Sequence, residues 1–409
     1  MINMISILYT KGCDCVKMFA ERLERVKIQF INHACFTVEV NDNLLMFDPW
    51  FEGKVFNDSW SLIKETNIND IEIKKLKVIL ISHEHPDHLH WGTLKNIKSK
   101  TKQKILVIIP KRNNDNVKQA IQKLGFVVME IPANKSLQLF DDFTISNYPT
   151  GHDSAYILKH KNQVLLNQND CKLSQNQCNI IKQAYPKIDY YFMQFSLAGY
   201  YANKGEHLEL EAAKKEHKDM IEQYKSFFNP VTTIPFASFV YFCRQENQFL
   251  NDYIVGLEEL KIDSSYQIVT YMDNILLSGF QQRNDVNIEK WKENIKNLKI
   301  YKTTSVPKEE ILENISIFLK SIKSNICPEK SIFNFYDIEE SLHIDYNNKK
   351  AYFVLDDKQS IAKTTTYDMN CFFKFPWGAD TMNITSCFEV YDKQKWKQNL
   401  IFKDSFYKR

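Results

Sequence analysis

Three histidines and one aspartate stand within six consecutive residues of the chain, at His83, His85, Asp87 and His88. They directly follow the apolar run at 78–81, which is typical of a strand buried on both faces. Imidazole and carboxylate groups bind zinc, manganese and iron, and the end of a strand brings four of them into one turn. His83 and His85 point the same way if the chain is still extended, whereas the next two ligands lie round the bend, where a second ion could sit. The cluster therefore predicts a site for two divalent metal ions.

The segments that flank this motif predict two halves built from strands and helices. In the first half, strands are expected at 28–30, 36–40, 44–47, 78–81, 105–109 and 127–131, with helices at 91–98 and 116–124. In the second half, strands are expected at 143–146, 156–158, 164–166 and 190–193, with helices at 175–184 and 208–228. Short polar turns between strand-like runs indicate hairpins in both halves. Two such halves predict an α/β fold in which two sheets pack together and helices flank them.

The spacing H-x-H-x-D-H at the end of a strand resembles the signature of the metallo-β-lactamase superfamily. Further segments that carry the resemblance lie at 33–36, 45–51, 151–154, 169–171 and 194–196. They are similar to the branch that contains ascorbate-phosphate lactonases, N-acyl phosphatidylethanolamine phospholipase D and the metallo-domain of CMP-N-acetylneuraminate hydroxylase. The segments 235–239 and 376–381 resemble later parts of that hydroxylase family. The resemblance implies an αββα sandwich followed by a smaller C-terminal α+β domain.

The 409 residues exceed the usual size of one domain, so more than one folded unit is expected. We expect an N-terminal extension at 1–27, a metallo-β-lactamase-like catalytic domain at 28–279 and a C-terminal domain at 280–409. The C-terminal domain is expected to contain helices at 288–297 and 309–323 and strands at 342–345 and 351–355. The resemblance implies that this last domain is sterol-carrier-like.

The resemblance also implies a ligand set that extends beyond the motif. By it, His83, His85 and His152 hold one ion, Asp87 and His88 help to hold the second, and Asp170 bridges both. The related enzymes complete the second ion with another histidine, but Arg244 stands where that histidine would be sought. His207 or His217 could substitute for it, but the long helix favours a solvent-facing histidine at each of these positions.

The ligand types predict hydrolysis, because two ions that share a hydroxide activate water and stabilise negative charge on an attacked group. Asp87 is the candidate catalytic residue, since a carboxylate beside the shared water can act as a general base. His33 is a candidate substrate contact, but it could equally be a structural histidine. Arg244 would favour a small anionic substrate through a bidentate contact, unless it is a salt-bridged structural arginine. By resemblance, a phosphorylated or nucleotide-linked sugar is such a substrate.

Two other functions remain open at this point. The same cage with iron could serve a monooxygenase related to CMP-N-acetylneuraminate hydroxylase. No cysteine has the Cys-x-His or Cys-x-x-His spacing of a Rieske cluster, so an oxygenase would need an external electron donor. A non-catalytic binding protein on a degenerate site is the third hypothesis. We therefore expect zinc as the cofactor, with iron or manganese as alternatives.

Composition limits the partners of the protein. A net charge of +3 gives no reason to expect nucleic acid. No stretch approaches the ~20 apolar residues that cross a bilayer, so we expect a protein without a membrane partner. Nine cysteines without a disulfide pattern, together with an N-terminus that does not resemble a signal peptide, predict a cytoplasmic location. The close pair Cys13 and Cys15 would need further ligands to bind a metal.

Overall fold

The computed structural model describes residues 26–40, 42–140, 143–277, 280–322, 328–355 and 359–407. The predicted N-terminal extension, except for its last two residues, lies outside the described residues, and so does the pair Cys13 and Cys15.

The first unit alternates strands and helices much as the sequence predicts. In chain order its first half contains β1 (Lys27–Asn32), β2 (Cys35–Val40), β3 (Asn43–Phe47), β4 (Lys54–Val55), β5 (Trp60–Leu62), β6 (Leu76–Leu80), α1 (Trp91–Lys100), β7 (Leu106–Pro110), α2 (Asn116–Lys123) and β8 (Val127–Ile131). Its second half contains β9 (Ser136–Phe140), β10 (Phe143–Thr150), β11 (Asp153–His160), β12 (Gln163–Asn169), α3 (Gln175–Ala184), β13 (Tyr190–Gln194), α4 (His207–Phe228), β14 (Thr232–Phe236), β15 (Val240–Phe242), β16 (Asn274–Ile275) and α5 (Gln281–Ile295). Short 3-10 helices lie at Ile68–Asp70, Ile73–Lys75, Gln248–Asp252 and Leu257–Glu259.

These strands form two large sheets and one small one. The first large sheet has the order β16-β1-β2-β3-β6-β7-β8, and the second has the order β14-β13-β12-β11-β10-β9. The small sheet has the order β15-β5-β4. Strands β3, β6, β7 and β8 run parallel, as do β12, β13 and β14.

Alternating side chains join the sheets to each other and to the helices. Leu45 and Phe47 of β3 face the second sheet, whereas Leu44 and Met46 lie in the cluster under α1 and α2. This alternation follows from the two-residue period of a strand. Between the sheets, the Phe36 ring stacks on that of Phe192 at a centroid distance of 4.5 Å. Helices α3 and α4 cover the outer face of the second sheet through residues that include Ile181 and Ile221. The predicted αββα sandwich is confirmed.

The C-terminal unit is α+β, as predicted. It contains α6 (Lys308–Ser321), β17 (Lys330–Phe335), β18 (Glu340–Asp345), β19 (Lys350–Leu355), β20 (Ala362–Thr364), α7 (Thr366–Lys374), α8 (Gly378–Thr385), β21 (Glu389–Val390) and α9 (Lys393–Tyr407). Its sheet has the order β19-β18-β17-β20-β21 and its own hydrophobic core. The likeness to sterol carriers stays a prediction.

Helix α5 belongs by its packing to the first unit. Its Trp291 is buried in the first core, where its ring lies 5.1 Å from that of Phe239 and 6.0 Å from that of Phe195. The boundary predicted between residues 279 and 280 would separate this helix from the core on which it packs. The core of the second unit begins with Ile311.

The cysteines in the described part of the chain are buried and unbonded. They are Cys35, Cys171, Cys178, Cys243, Cys371 and Cys387. Burial raises the pKa of each of these thiols above its ordinary value. No helix in the described ranges combines the length and apolar character that crossing a bilayer requires.

Candidate metal centre

Turns and strand ends from both sheets bring the candidate ligands together. The histidine motif follows the end of β6, and Asp170 follows the end of β12. Asp153 begins β11, next to its two-residue turn, and His33 lies in the turn between β1 and β2. The two halves of the sandwich therefore each supply part of one centre.

The first group of ligands consists of His83, His85, Asp153 and Asp170, whose ligand atoms all lie within 4.8 Å of one another. His83 Nε2 lies 2.9 Å from His85 Nδ1 and 3.5 Å from Asp170 Oδ2. His83 is buried, and the other three residues are partly exposed. This group is therefore open to solvent on one side.

The second group consists of His33, Asp87 and His88, and all three are buried. The Oδ2 atom of Asp87 lies 3.2 Å from the Nε2 atoms of both His33 and His88. His33 has a backbone φ of 32°, a value that L residues rarely adopt. Such strain persists only where the surrounding structure holds it, and it is common at functional sites.

Asp170 links the two groups. Its Oδ2 atom is 3.5 Å from His83 Nε2 of the first group and 3.8 Å from His88 Nε2 of the second. A carboxylate in this place can contact cations on both sides, and the bridging role implied by the resemblance stays a prediction.

Behind the ligands, a buried network centred on Asp48 orients the imidazoles. The Oδ2 atom of Asp48 accepts hydrogen bonds from Ser82 Oγ at 2.7 Å and from Asn169 Nδ2 at 2.8 Å, and it lies 3.0 Å from His88 Nδ1. Ser82 Oγ is also 3.0 Å from His83 Nδ1. Because these contacts occupy the Nδ1 side of each ring, the Nε2 atoms face the ligand groups. Partners of this kind fix ring orientation and tautomer in metal sites.

Aromatic side chains flank the histidines. The Trp50 ring meets His33 edge-on at a centroid distance of 5.7 Å, and the Phe56 ring meets His85 edge-on at 5.9 Å. Trp50 and Phe56 are buried in a hydrophobic cluster with Trp60 and Phe242, and they support the ligands from there.

The electrostatics of the groups suit a cation. Burial lowers the pKa of His33 and of His83, which favours the neutral imidazole that metals require. Burial and the nearby Asp170 carboxylate raise the pKa of Asp153 to about 7. Burial alone would raise the pKa of Asp87 as well, but His88 and His33 lower it well below its ordinary value. Two carboxylates as close as Asp153 and Asp170 disfavour each other's charge, and a cation between them removes that repulsion.

Two orphaned carboxylate atoms fit the same conclusion. Within the described residues, Asp87 Oδ1 and Asp170 Oδ1 are buried and have no hydrogen-bond partner. A buried polar atom without a partner is costly, and metal coordination is one way to satisfy it. The residues present therefore fit two divalent cations, one in each group, with Asp170 shared.

Several residues predicted from the sequence lie elsewhere than expected. The His152 side chain is exposed and lies outside both groups, and its neighbour Asp153 stands in its place. His33, predicted as a substrate contact, lies beside Asp87 and His88 in the second ligand group. Its role and that of His152 stay predictions, although the geometry favours His33 and Asp153 as ligands. In the two-residue turn between β10 and β11, Thr150 pairs with Asp153 and leaves His152 at the tip.

Arg244 is used structurally in the described part of the chain. Its guanidinium is 2% exposed and lies 2.8 Å from Asp368 Oδ2 and 3.2 Å from Glu246 Oε2. His207 contacts the Tyr253 hydroxyl, and His217 lies 3.1 Å from that of Tyr201. Neither histidine lies in a ligand group, and a substrate-binding role for Arg244 stays a prediction.

Curated relatives match a short part of the chain. The cytidine monophosphate-N-acetylneuraminic acid hydroxylase of Cricetulus griseus is 37% identical over 76 residues, which are 18% of this chain and 14% of that protein. The protein described as inactive cytidine monophosphate-N-acetylneuraminic acid hydroxylase from Homo sapiens is 37% identical over 73 residues, which are 18% of this chain and 15% of its own length. The match thus spans about one seventh of these relatives.

Solved structures give a looser likeness. CmlA, a diiron β-hydroxylase from Streptomyces venezuelae, has a TM-score of 0.41 and 13% identity, covering 68% of this chain and 53% of its own. Igni18, a metallo hydrolase from Ignicoccus hospitalis KIN4/I, has a TM-score of 0.39 and 16% identity, covering 61% and 97%. TM-scores this low support no conclusion about the chemistry of this chain.

A family model decides the classification where the structural likeness cannot. The model described as the beta-lactamase superfamily domain matches residues 27–174, a range that contains every residue of both ligand groups. The signature at 83–88 and the αββα sandwich agree with it. Residues 27–174 of this chain thus match the metallo-β-lactamase superfamily, and the αββα sandwich that contains them continues beyond this range to α5.

Proposed function

We propose that the protein is a metal-dependent hydrolase of a small anionic substrate and that it binds two divalent cations. The observation that carries this proposal is the position of Asp170 between two ligand groups, each of which contains two imidazoles and at least one further carboxylate. When bound, a pair of divalent ions lowers the pKa of water and stabilises negative charge on an attacked carbonyl or phosphoryl group. Zinc is the first candidate, and manganese and iron also suit these ligands.

Asp87 is the residue that we propose to manage the attacking water. Its Oδ2 atom is engaged by His33 and His88, whereas its buried Oδ1 atom is open to accept a hydrogen bond. Since its neighbours keep this carboxylate ionised, it can orient a water molecule and accept a proton from it transiently. Trp50 packs on His33 of the buried group, so we expect the substrate to enter from the side of the partly exposed first group.

The arginine that best supports an anionic substrate is Arg112. It donates hydrogen bonds to the carbonyl groups of Gly151 and His152, and its Nε atom lies 3.8 Å from Glu84 Oε1. Its side chain is 19% exposed and its charge lowers the pKa of Asp153 against the effect of burial. A fixed positive charge at the open group favours carboxylate or phosphate substrates.

A second candidate function is an iron-dependent monooxygenase that receives electrons from a separate protein. Two histidines with one carboxylate form the ligand set of non-haem iron oxygenases, and His33, His88 and Asp87 match that set. In the first group, the geometry favours the carboxylate of Asp153 over the imidazole of His152 as a ligand, and a carboxylate in this position also suits iron. The curated relatives that match a short part of the chain are described as hydroxylases, which also supports this second candidate.

The test is elemental analysis of the full chain purified without added metal, alongside Asp170→Ala and a His207→Ala control. We expect about two equivalents of metal in the wild type and in His207→Ala, and less than half of that in Asp170→Ala, because both ions lose their shared ligand. Loss of metal should lower the hydrolysis of model phosphate esters and lactones by more than about 100-fold.

The identity of the bound metal and the dependence of turnover on dioxygen distinguish the two candidate functions. Zinc or manganese, with equal turnover in air and under nitrogen, supports hydrolysis. Two irons with a spectral change that depends on dioxygen support the oxygenase. A folded protein that takes up neither metal supports the third hypothesis, a binding protein on a degenerate site, and contradicts both proposals.

A further inference from the structure

A short loop beside the metal centre has an unusual backbone. Phe56, Asn57 and Asp58 have successive φ values of 52°, 54° and 57°, all in the left-handed region. Asparagine and aspartate visit this region at times, but an aromatic residue there is an outlier, and three such residues in succession are rarer still. We call this segment the left-handed loop. Something must hold it in place, because strain of this kind persists only where the surroundings fix it.

Residues at 243–247 hold the loop from one side through its carbonyl groups. Arg244 NH1 donates to the Asn57 carbonyl at 3.3 Å, and Cys243 Sγ donates to the Asp58 carbonyl at 3.2 Å. The next carbonyl, that of Ser59, accepts hydrogen bonds from the Cys243 backbone at 2.9 Å and from Asn247 Nδ2 at 3.0 Å. Each of these three carbonyl groups therefore has a partner outside the loop.

The C-terminal unit holds the loop from the other side. Asp368 Oδ1 accepts a hydrogen bond from Asn57 Nδ2 at 3.3 Å and one from Arg244 NH1 at 3.0 Å. The Tyr367 hydroxyl donates to Asp58 Oδ2 at 3.3 Å. Asp368 is fully buried at the start of α7, and Thr365, the residue that caps α7, also accepts from Arg244 NH2. Asp368, which lies 311 positions after Asn57, thus contacts the same loop as Arg244 does.

The loop reaches the metal centre through Phe56. The Phe56 ring is 4% exposed and lies edge-on to the His85 ring, at a centroid distance of 5.9 Å. Its other side meets the Trp60 ring at 5.0 Å. His85 is one of the partly exposed members of the first ligand group, so Phe56 is a fixed wall against an otherwise open ligand.

We propose that Asp368 is a positioning residue for the metal centre, which acts by holding the left-handed loop so that Phe56 fixes the His85 ring. This inference rests on the proposed binding of metal, and it gives the C-terminal unit a part in the site of the first unit. Asp368 touches no ligand itself. Its effect passes through Asn57 and Arg244 to the loop, and through Phe56 to His85.

The experiment is a Co²⁺ titration of the full chain followed by visible absorption, which reports the geometry of the bound ion. We expect Asp368→Asn, which keeps the size of the side chain and removes its charge, to weaken binding at one of the two sites by about tenfold. The Co²⁺ absorption bands should also change, which loss of global stability alone would not cause. Phe56→Leu should give the same two changes.

A double variant and a control make the test decisive. Asp368→Asn and Phe56→Leu together should bind Co²⁺ no more weakly than the weaker single variant, because both act on one path. Glu340→Gln removes an ion pair of the C-terminal unit, with Lys308 at 2.6 Å, and should leave the titration unchanged.

The inference is overturned if folded Asp368→Asn binds Co²⁺ with wild-type affinity and spectrum, or if the two substitutions add fully. Should Asp368→Asn fail to fold, a wild-type titration by Phe56→Leu overturns it instead. A wild-type protein that binds no Co²⁺ at all contradicts the proposed function, which separates that failure from this one.

Discussion

The two ligand groups of the metal centre differ in how they are enclosed. His33, Asp87 and His88 are buried and lie against the Asp48 network, whereas the other group has one buried histidine and three partly exposed ligands. A buried site with ordered partners is already shaped for its ion, and an open site leaves room for substrate. Under the proposed function, we expect the buried group to hold its ion tightly beside Asp87 and the substrate to approach from the open group.

The largest effect is expected from the network that makes the buried group rigid. Asp48→Asn removes the charge that accepts hydrogen bonds from Ser82 and Asn169 and faces His88. We expect metal binding by the buried group to weaken about 10- to 100-fold, and binding by the open group to weaken less, because Asp48 contacts His88 directly but reaches His83 only through Ser82. Calorimetric titration with Zn²⁺ would resolve the two steps.

Asp189→Asn is the matched control for that experiment. Asp189 is also buried. It directly precedes β13 and accepts a hydrogen bond from the backbone amide of Val164 at the start of β12. This variant should lower thermal stability and leave both binding steps intact. If Asp48→Asn weakened both groups equally, the contrast between them would fail.

A smaller effect is expected in the open group. Asp153→Asn should weaken its affinity about tenfold, since a charged ligand becomes a neutral amide. His152→Gln should change the affinity less than twofold, because that side chain is exposed and lies outside the group. Metal content of the two variants after dialysis checks this. The opposite ranking would show that the turn rearranges to present His152.

The smallest effect concerns pH. A proton competes with the cation for each group, and affinity therefore falls as pH falls. In the open group the competing proton sits on Asp153, with its pKa of about 7, so affinity should level off above that pH.

In the buried group, burial lowers the pKa of His88, but Asp87 and Asp170 raise it well above its ordinary value. Affinity there should keep increasing at higher pH. Titrations between pH 6 and 9 test this, and two parallel curves would contradict it.

Much of the fold could be predicted because its strongest signals are local. The helix at 175–184 has the predicted bounds, and the strand at 127–131 does too. Both have clear ends, such as the capping box at Ser174 and Gln177. Strand β14 and helices α7 to α9 were not predicted, because their apolar runs are short and their burial depends on distant partners.

The candidate site divides in the same way. The motif at 83–88 was visible because its ligands are neighbours in sequence. His33 could not be placed beside Asp87 from the sequence, since the contact joins turns 54 positions apart. Asp153 was missed by a single position, because only the pairing of Thr150 with Asp153 shows which residue stays on the tip of the turn.

The enclosure of the thiols has a practical consequence for distinguishing hydrolysis from oxygenation. Oxidation by peroxide proceeds through the thiolate, and burial suppresses that form at all six described cysteines. Brief exposure to a mild oxidant should therefore spare sulfur in this part of the chain. Under the oxygenase proposal, loss of activity during such exposure should be accompanied by a change in the absorption of the bound iron, whereas a zinc enzyme should show no such change.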